Sequence, residues 1–159
     1  MKKIIIFGLV LAVIFAALAF VTSQQNQQQS EGNPYGKDRL KPETIDTLDD
    51  PLYENIILPD EVDVKKDAGE DFTVYFFSPA CQICNEVTPF LVPAAEDEGV
   101  DLHMLNLLEY EPDVWDNHEI TGTPTVVHYE NGEEEARIEG GADEETYRQF
   151  FNEVVLEDN

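Results

Sequence analysis

The sequence predicts an α/β protein with a central mixed β-sheet that is flanked by helices on both faces. Two observations support this fold class. Apolar segments of strand length alternate with helical segments, and the last two predicted strands are joined by the tight-turn pair Asn131-Gly132. A third observation, an uncharged apolar run near the N-terminus, predicts a transmembrane helix or signal segment in front of the domain.

The apolar run covers residues 4–21, contains no charged residue and follows two lysines. It fits an uncleaved membrane anchor, or a signal peptide that is cleaved after the small-residue site at 17–19. We favour an anchor over residues 1–21, because the run continues beyond that cleavage site. In both cases the lysines stay inside, so the rest of the chain is expected outside the cell. It is held there by a single-pass anchor in the cell membrane, or secreted if the segment is cleaved.

A polar segment separates the anchor from the domain. Residues 22–43 begin with the uncharged, glutamine-rich stretch TSQQNQQQS and continue with two glycines and two prolines. This composition predicts a flexible linker. As a random coil, a linker of this length would span roughly 25 Å. The folded domain is then predicted over residues 44–159.

Local patterns predict the elements of the domain. Pro59 with adjacent acidic residues starts a helix, the stretch FTVYFF is apolar on both faces like a central strand, and Asp143 caps the last helix. Strands joined by helices are expected to be parallel, with right-handed crossovers, and the last two strands form an antiparallel hairpin. The predicted order is strand 53–58, helix 59–69, strand 72–77, helix 82–98, strand 102–107, helix 112–118, strand 125–129, strand 134–138 and helix 144–156.

The chain is strongly acidic, with 34 Asp and Glu against 9 Lys and Arg, a net charge of −25 and a pI near 4.1. Such a surface repels nucleic acid, so nucleic-acid binding is excluded as a function. Disorder is also excluded, because 42% of the residues are hydrophobic and occur in ordered runs. We interpret the charge as an adaptation to a salty or alkaline exterior.

The only two cysteines, Cys81 and Cys84, lie where a buried strand gives way to a helix. At a helix N-terminus, free N–H groups and the helix dipole stabilise a thiolate and lower its pKa. We therefore predict that Cys81 is the exposed attacking sulfur. Cys84, one turn later, is predicted to be the buried sulfur that resolves a mixed disulfide.

Two alternatives to redox chemistry are weaker. A zinc site needs two further ligands, and the three histidines show no paired spacing, so no metal is expected. A purely structural disulfide would close a very small loop and would restrain the unfolded chain little. The sequence contains no nucleotide or flavin motif, so no cofactor is expected, and reducing power must come from another protein.

The dipeptide Thr123-Pro124 directly precedes the predicted strand at 125–129. Proline is tolerated at the start of a strand, and a cis bond there would make a tight entry. If it faces the cysteines, it leaves the backbone of Thr123 free to pair with an extended substrate peptide. The alternative is an ordinary trans proline in a loop.

These markers together resemble the thioredoxin superfamily, over roughly residues 53–155. They comprise the apolar strand before the cysteine pair, a helix proline (Pro89) five residues after Cys84, the Thr123-Pro124 loop, the hairpin turn and Gly140 before the last helix. The resemblance implies a nucleophilic Cys81, a resolving Cys84 and a substrate-docking Pro124.

Several positions depart from the family pattern. Tyr75 stands where thioredoxins carry a buried acid, and Met104 replaces the lysine that usually partners it. The usual proton relay to Cys84 is therefore missing. Glu86 is a candidate substitute, although a solvated carboxylate in the first helical turn is the simpler interpretation. The dipeptide Gln82-Ile83 matches neither a strong oxidant nor a strong reductant, which leaves the direction of electron flow open.

The sequence therefore predicts an extracytoplasmic thiol–disulfide oxidoreductase that acts on exported proteins. Its expected partners are exported protein thiols or disulfides and a membrane redox protein, with the domain itself monomeric. One alternative is a dedicated reductant for a single client, as in cytochrome maturation. The other is a non-catalytic thioredoxin-fold binding module, against which the retained cysteine pair argues.

Overall fold

A computed structural model describes residues 2–156; Met1, at the start of the predicted anchor, and residues 157–159, at the end of the predicted domain, lie outside it. The first helix, α1, is Lys2–Gln29. By length and composition, Ile6–Gln29 is apolar enough to cross a membrane, a test that signal sequences also pass. Side chains 6–22 of α1 are exposed and do not pack on the domain.

The segment predicted as a flexible linker, residues 22–43, is ordered in the structure. Its first eight residues continue α1, and the rest folds against the domain up to the short helix α2, Pro42–Ile45. Residues 30–44 are called the collar below. Polar composition was the only local signal for this segment and does not reveal the side-chain hydrogen bonds between the collar and the domain, among them one between Tyr35 and Asn106.

Four strands form the central sheet in the order β2-β1-β3-β4. Their bounds are β1 Phe72–Phe77, β2 Leu102–Asn106, β3 Thr125–Glu130 and β4 Glu133–Glu139. The remaining helices are α3 Pro59–Ala68, α4 Gln82–Glu98, α5 Pro112–Asn117 and α6 Glu144–Phe150, which continues as a π-helical segment, Phe151–Val155. The predicted fold class, a mixed sheet with helices on both faces, is confirmed.

The strand predicted at 53–58 is reduced to a single parallel bridge between Ile56 and Met104. A 3-10 helix, Pro51–Tyr53, occupies the start of this segment, and α3 begins at Pro59. The prolines at both ends leave too few extended residues for a longer ladder.

The direction of β3 also differs from the prediction. β1 and β2 are parallel, as expected, but β3 runs antiparallel to β1, with Val74 opposite Val127. A parallel return would need a helix about as long as a strand. The six residues of α5 rise only about 9 Å. The chain therefore re-enters the sheet from the end at which β1 and β2 finish, and this end carries the candidate site.

Alternate residues of β1 face two separate apolar clusters. Tyr75 and Phe77 pack with α4 and α6 on one face, and Val74 and Phe76 pack with α3 and α5 on the other. All six residues of β1 are buried, as the apolar stretch predicted. The central strand is thus fixed from both faces, which gives the site at its carboxyl end a rigid support.

Candidate active site

Cys81 lies at the N-terminus of α4, a few residues after β1 ends. Its backbone is extended, and its sulfur accepts a hydrogen bond from the backbone N–H of Cys84 at 3.3 Å. The N–H of Cys81 donates to the carbonyl of Ser78 at 2.9 Å, which holds the turn between strand and helix. The helix N-terminus therefore directs a free backbone donor at the sulfur, as the sequence predicted.

The surroundings of Cys81 favour its thiolate. Partial burial by itself would raise the pKa of Cys81. Hydrogen bonds from the thiol of Cys84, the side chain of Thr123 and nearby backbone N–H groups outweigh burial, so the pKa is lowered from its ordinary value. The side chain of Cys81 is partly exposed and can be reached from solvent.

Cys84 has the opposite environment. It is a free thiol like Cys81, but it is fully buried. Burial, followed by the adjacent sulfur of Cys81, raises the pKa of Cys84 to about 11. The two thiols therefore differ in both accessibility and acidity, with the accessible one the more acidic.

Thr123 and Pro124 lie beside the cysteines, because antiparallel β3 starts at the end where β1 finishes. The Thr123–Pro124 peptide bond is cis. The thiol of Cys81 donates a hydrogen bond to the carbonyl oxygen of Thr123 at 3.3 Å. The structure thus brings together four of the five residues that the sequence singled out.

A buried hydroxyl pair lies beneath Cys84. Tyr75 Oη is 2.9 Å from Thr88 Oγ1, and Thr88 Oγ1 donates to the carbonyl of Cys84 at 2.7 Å. Burial, and then the charge of a Cys84 thiolate, raise the pKa of Tyr75 well above its usual range, and the Tyr75 hydroxyl also interacts with the Cys84 thiol. Both side chains are 0% exposed, so this pair supplies polar groups where thioredoxins carry an acid.

The sequence analysis noted Tyr75 only as a departure and missed Thr88. The one available signal for Thr88 was its position four residues after Cys84, from which a threonine hydroxyl can bond back to the carbonyl one turn earlier.

Glu86 lies on the exposed side of α4. Its carboxylate accepts a hydrogen bond from the side chain of Gln82 at 2.9 Å, one turn earlier along the helix surface. This contact matches the simpler interpretation of a solvated carboxylate. A role of Glu86 in proton transfer stays a prediction without structural support.

Within the described residues 2–156, no group of three or more His, Cys, Asp and Glu side chains is arranged to hold a metal ion. His128 lies within β3, with its ring nitrogen 3.0 Å from the hydroxyl of Thr73. It belongs to the sheet rather than to the cysteine site.

The sheet, the cysteine pair at the start of α4 and the adjacent cis proline define a thioredoxin-fold domain with a redox-type thiol pair. A family model for thioredoxin matches residues 60–153, more than half of the chain. The chain therefore belongs to the thioredoxin family.

Solved thioredoxin structures share this fold. Thioredoxin from Plasmodium falciparum is 22% identical, with a TM-score of 0.55 over 63% of this chain and 98% of that one. A mutant thioredoxin from Halobacterium salinarum is 21% identical, with a TM-score of 0.51 over 60% and 84% of the two chains. Thioredoxin O2 from Arabidopsis thaliana, in its oxidized state, is 15% identical, with a TM-score of 0.51 over 63% and 92%. At these identities the likeness shows the fold alone.

Proposed function

We propose that this protein is an extracytoplasmic thiol–disulfide oxidoreductase that acts on exported proteins. The observation that carries the proposal is the asymmetry of the thiol pair. Cys81 is accessible and has a lowered pKa, whereas Cys84 is buried with a pKa of about 11. A nucleophile and a resolving thiol need this difference, because only the first must meet the substrate as a thiolate.

In the reductive direction, the Cys81 thiolate attacks one sulfur of a substrate disulfide. The substrate S–S bond breaks, a Cys81–substrate disulfide forms, and the released substrate thiolate takes up a proton. Cys84 then loses its proton and attacks the sulfur of Cys81, which releases the second substrate thiolate. One substrate disulfide is reduced and the Cys81–Cys84 pair is oxidised; the same steps in reverse oxidise a substrate dithiol.

Thr123 supplies the backbone that aligns the substrate. Its carbonyl lies 3.3 Å from the sulfur of Cys81, at the point where β3 enters the sheet. An extended peptide that pairs with this backbone has its own sulfur brought next to Cys81. Ile83, between the two cysteines, is 48% exposed and offers apolar contact area to a bound peptide.

An extracytoplasmic location follows from α1 if the helix is an anchor or a signal segment. The apolar side chains among residues 6–21 are exposed, as expected of a helix that leaves the domain for a membrane. With the N-terminal lysines inside, the domain lies outside, where a thiol pair can be oxidised.

The proposal is tested with Cys84→Ala, which should trap substrates on Cys81. The variant is expressed in membranes, free thiols are blocked, and disulfide-linked adducts are separated without reductant and identified by mass spectrometry. Adducts are expected with Cys84→Ala and absent with the control Cys81→Ala. Full turnover by Cys84→Ala would refute the resolving role of Cys84.

The direction of electron flow follows from the reduction potential of the Cys81–Cys84 pair. The pair is equilibrated in glutathione or dithiothreitol buffers and its oxidation state is read by alkylation and mass. A value near −120 mV (roughly that of a strong oxidant) indicates disulfide formation, and one near about −270 mV indicates reduction. A folded pair that exchanges with neither buffer would contradict catalysis.

A further inference from the structure

The collar is attached to the carboxyl end of β2. Asn106, the last residue of β2, is fully buried, and its side-chain amide donates to the hydroxyls of Tyr35 at 3.2 Å and Thr44 at 3.0 Å. One of these hydroxyls lies in the first half of the collar and the other on its last residue. The sheet itself therefore fixes where the chain between α1 and the domain is held.

This attachment lies at the same end of the sheet as the thiols. β1 and β2 are parallel, and Asn106 is the register partner of Phe77. Cys81 follows Phe77 by four residues, and β3 starts at this end with Thr125. The end of the sheet that carries Cys81 and Thr123 is called the thiol edge below.

A second set of contacts holds the collar just beyond β2. The carboxylate of Glu109 accepts a hydrogen bond from the backbone N–H of Lys41 at 2.8 Å, and its side chain is only 3% exposed. The ammonium of Lys37 donates to the carbonyl of Glu109 and lies 4.2 Å from the centre of the Tyr110 ring. A buried carboxylate and a covered aromatic ring indicate a packed contact.

The collar is in turn bonded to α1. The side chain of Asn26 donates to the carbonyl of Leu40 at 2.9 Å, and Arg39 donates to the hydroxyl of Ser23 at 2.6 Å. α1 continues for eight residues beyond Val21, the end of the apolar run, which adds about 12 Å of helix. A short helical spacer, not a free coil, therefore joins the membrane span to the thiol edge.

Charge favours the same orientation. The collar contains three basic and three acidic residues and is formally neutral, whereas residues 45–159 contain four basic and 31 acidic residues. An anionic membrane surface repels the acidic faces and attracts nearby cations. Lys37, Arg39 and Lys41 place three of the nine basic residues in the part of the domain that lies nearest to α1.

We propose that the thiol edge faces the membrane, and that the exchange partner of Cys81 is an integral membrane protein that presents a dithiol or a disulfide at the bilayer surface. The inference rests on the proposed function for its redox step and on the collar for its geometry. The Cys81 thiolate attacks a partner disulfide, and Cys84 then resolves the mixed disulfide, so that the partner pair is reduced and the Cys81–Cys84 pair is oxidised. With a partner dithiol the steps run in reverse: one partner thiolate attacks Cys81 of the oxidised pair, and the second partner thiol resolves the mixed disulfide.

The orientation is tested with full-length protein in vesicles that contain lipids with nitroxide-labelled headgroups. A fluorophore is attached to Cys81 in Cys84→Ala. The matched control carries it on Glu133→Cys in a variant with both native cysteines replaced by Ala. Glu133 is exposed and starts β4 at the opposite end of the sheet. Stronger quenching at Cys81 is expected, and equal or weaker quenching there would overturn the orientation.

Tyr35→Phe tests whether the hydrogen bond between the collar and Asn106 orients the domain at the membrane. It removes one hydroxyl that Asn106 binds, without removing the aromatic ring. Quenching at Cys81 is expected to fall towards the Glu133 level, because the domain is less firmly held. Unchanged quenching would show that this contact does not orient the domain.

The partner is tested by extracting membranes that contain Cys84→Ala with alkaline carbonate, which releases peripheral proteins. This variant also carries a protease site after the collar, and cleavage there separates the domain from its own anchor. After cleavage, adducts on Cys81 are expected to remain in the membrane pellet, because the partner itself holds them there. Adducts that are all released would overturn the partner class. Native protein that begins after Ala19 would show that the N-terminal segment is cleaved as a signal peptide, and this would overturn the whole inference. A domain that is oriented as expected but whose Cys81–Cys84 pair never exchanges would refute only the proposed function.

Discussion

The hydroxyl of Tyr75 allows a sharp test of how a buried thiol is activated in this protein. Tyr75→Phe removes one oxygen from a side chain that is 0% exposed and leaves the ring in place. That oxygen lies 2.9 Å from Thr88 Oγ1. Thr88 already uses its only proton on the carbonyl of Cys84, so Tyr75 is the donor in this pair.

Two magnitudes follow from this geometry. Loss of one buried hydrogen bond between neutral groups lowers the free energy of unfolding by about 1 kcal/mol. The larger effect is expected when Cys84 ionises, because the Tyr75 proton, which Thr88 accepts while Cys84 is a thiol, can then turn to the thiolate with which this hydroxyl interacts. A hydrogen bond to a charged group contributes about 1.5–3 kcal/mol, which corresponds to a resolution step slowed roughly 10- to 100-fold.

The assay uses an aromatic disulfide whose thiolate product is coloured. Attack by Cys81 releases the first coloured thiolate, and attack by Cys84 on the resulting mixed disulfide releases the second. Stopped-flow absorbance of the reduced protein therefore separates the two steps. Tyr75→Phe is expected to slow the second phase and to leave the first unchanged.

Tyr147→Phe is the matched control. Tyr147 is also buried, but its hydroxyl accepts from the N–H of Ala142 at 3.3 Å and lies 3.5 Å from the carbonyl of Gly140. Both phases should stay near the wild-type rates. If Tyr75→Phe is folded and its second phase is unchanged, or if both phases slow equally, the hydroxyl does not serve Cys84.

The remaining predictions concern ionisation and backbone geometry. The pKa of Cys84 is raised from 9.0 to about 11, so the unfolded chain loses this proton first as pH rises. The reduced protein should lose about 2–3 kcal/mol of stability between these pH values, measured by denaturant titration, and Cys84→Ala should show a flatter profile. A Cβ on Gly132 would clash with the carbonyl oxygen of Lys66, whereas one on Gly99, at a similar positive φ, meets open space. Gly132→Ala should therefore lower the free energy of unfolding by about 1–3 kcal/mol more than Gly99→Ala, and equal losses would argue against the clash.

Local sequence features predicted the elements that position Cys81. β1 and α4 have the predicted bounds, because the apolar stretch stops at Ser78 and Gly99 ends the helix in a left-handed conformation. The position of the cysteine pair at the start of a helix predicted an exposed Cys81 and a buried Cys84, and the family pattern predicted the Thr123-Pro124 loop beside them. Each of these features depends on neighbours in the chain or on a known family pattern.

The features that were missed depend on distant contacts. The direction of β3 is decided by how far α5 can carry the chain, which strand patterns do not show. The collar depends on Asn106, a polar residue at the end of an apolar strand, whose partners Tyr35 and Thr44 lie 71 and 62 residues away. Composition could not reveal that these residues meet.

The hydrogen bond between Cys81 and Thr123 joins positions 42 residues apart. During synthesis the two cysteines therefore appear well before the residue that completes their surroundings, and the contact forms only after β3 has paired with β1. A partly made chain has Cys81 without the side chain of Thr123, which contributes to its lowered pKa. The full lowering of the pKa of Cys81 is thus reached only in the finished sheet, when residues on both sides of the fold surround this thiol.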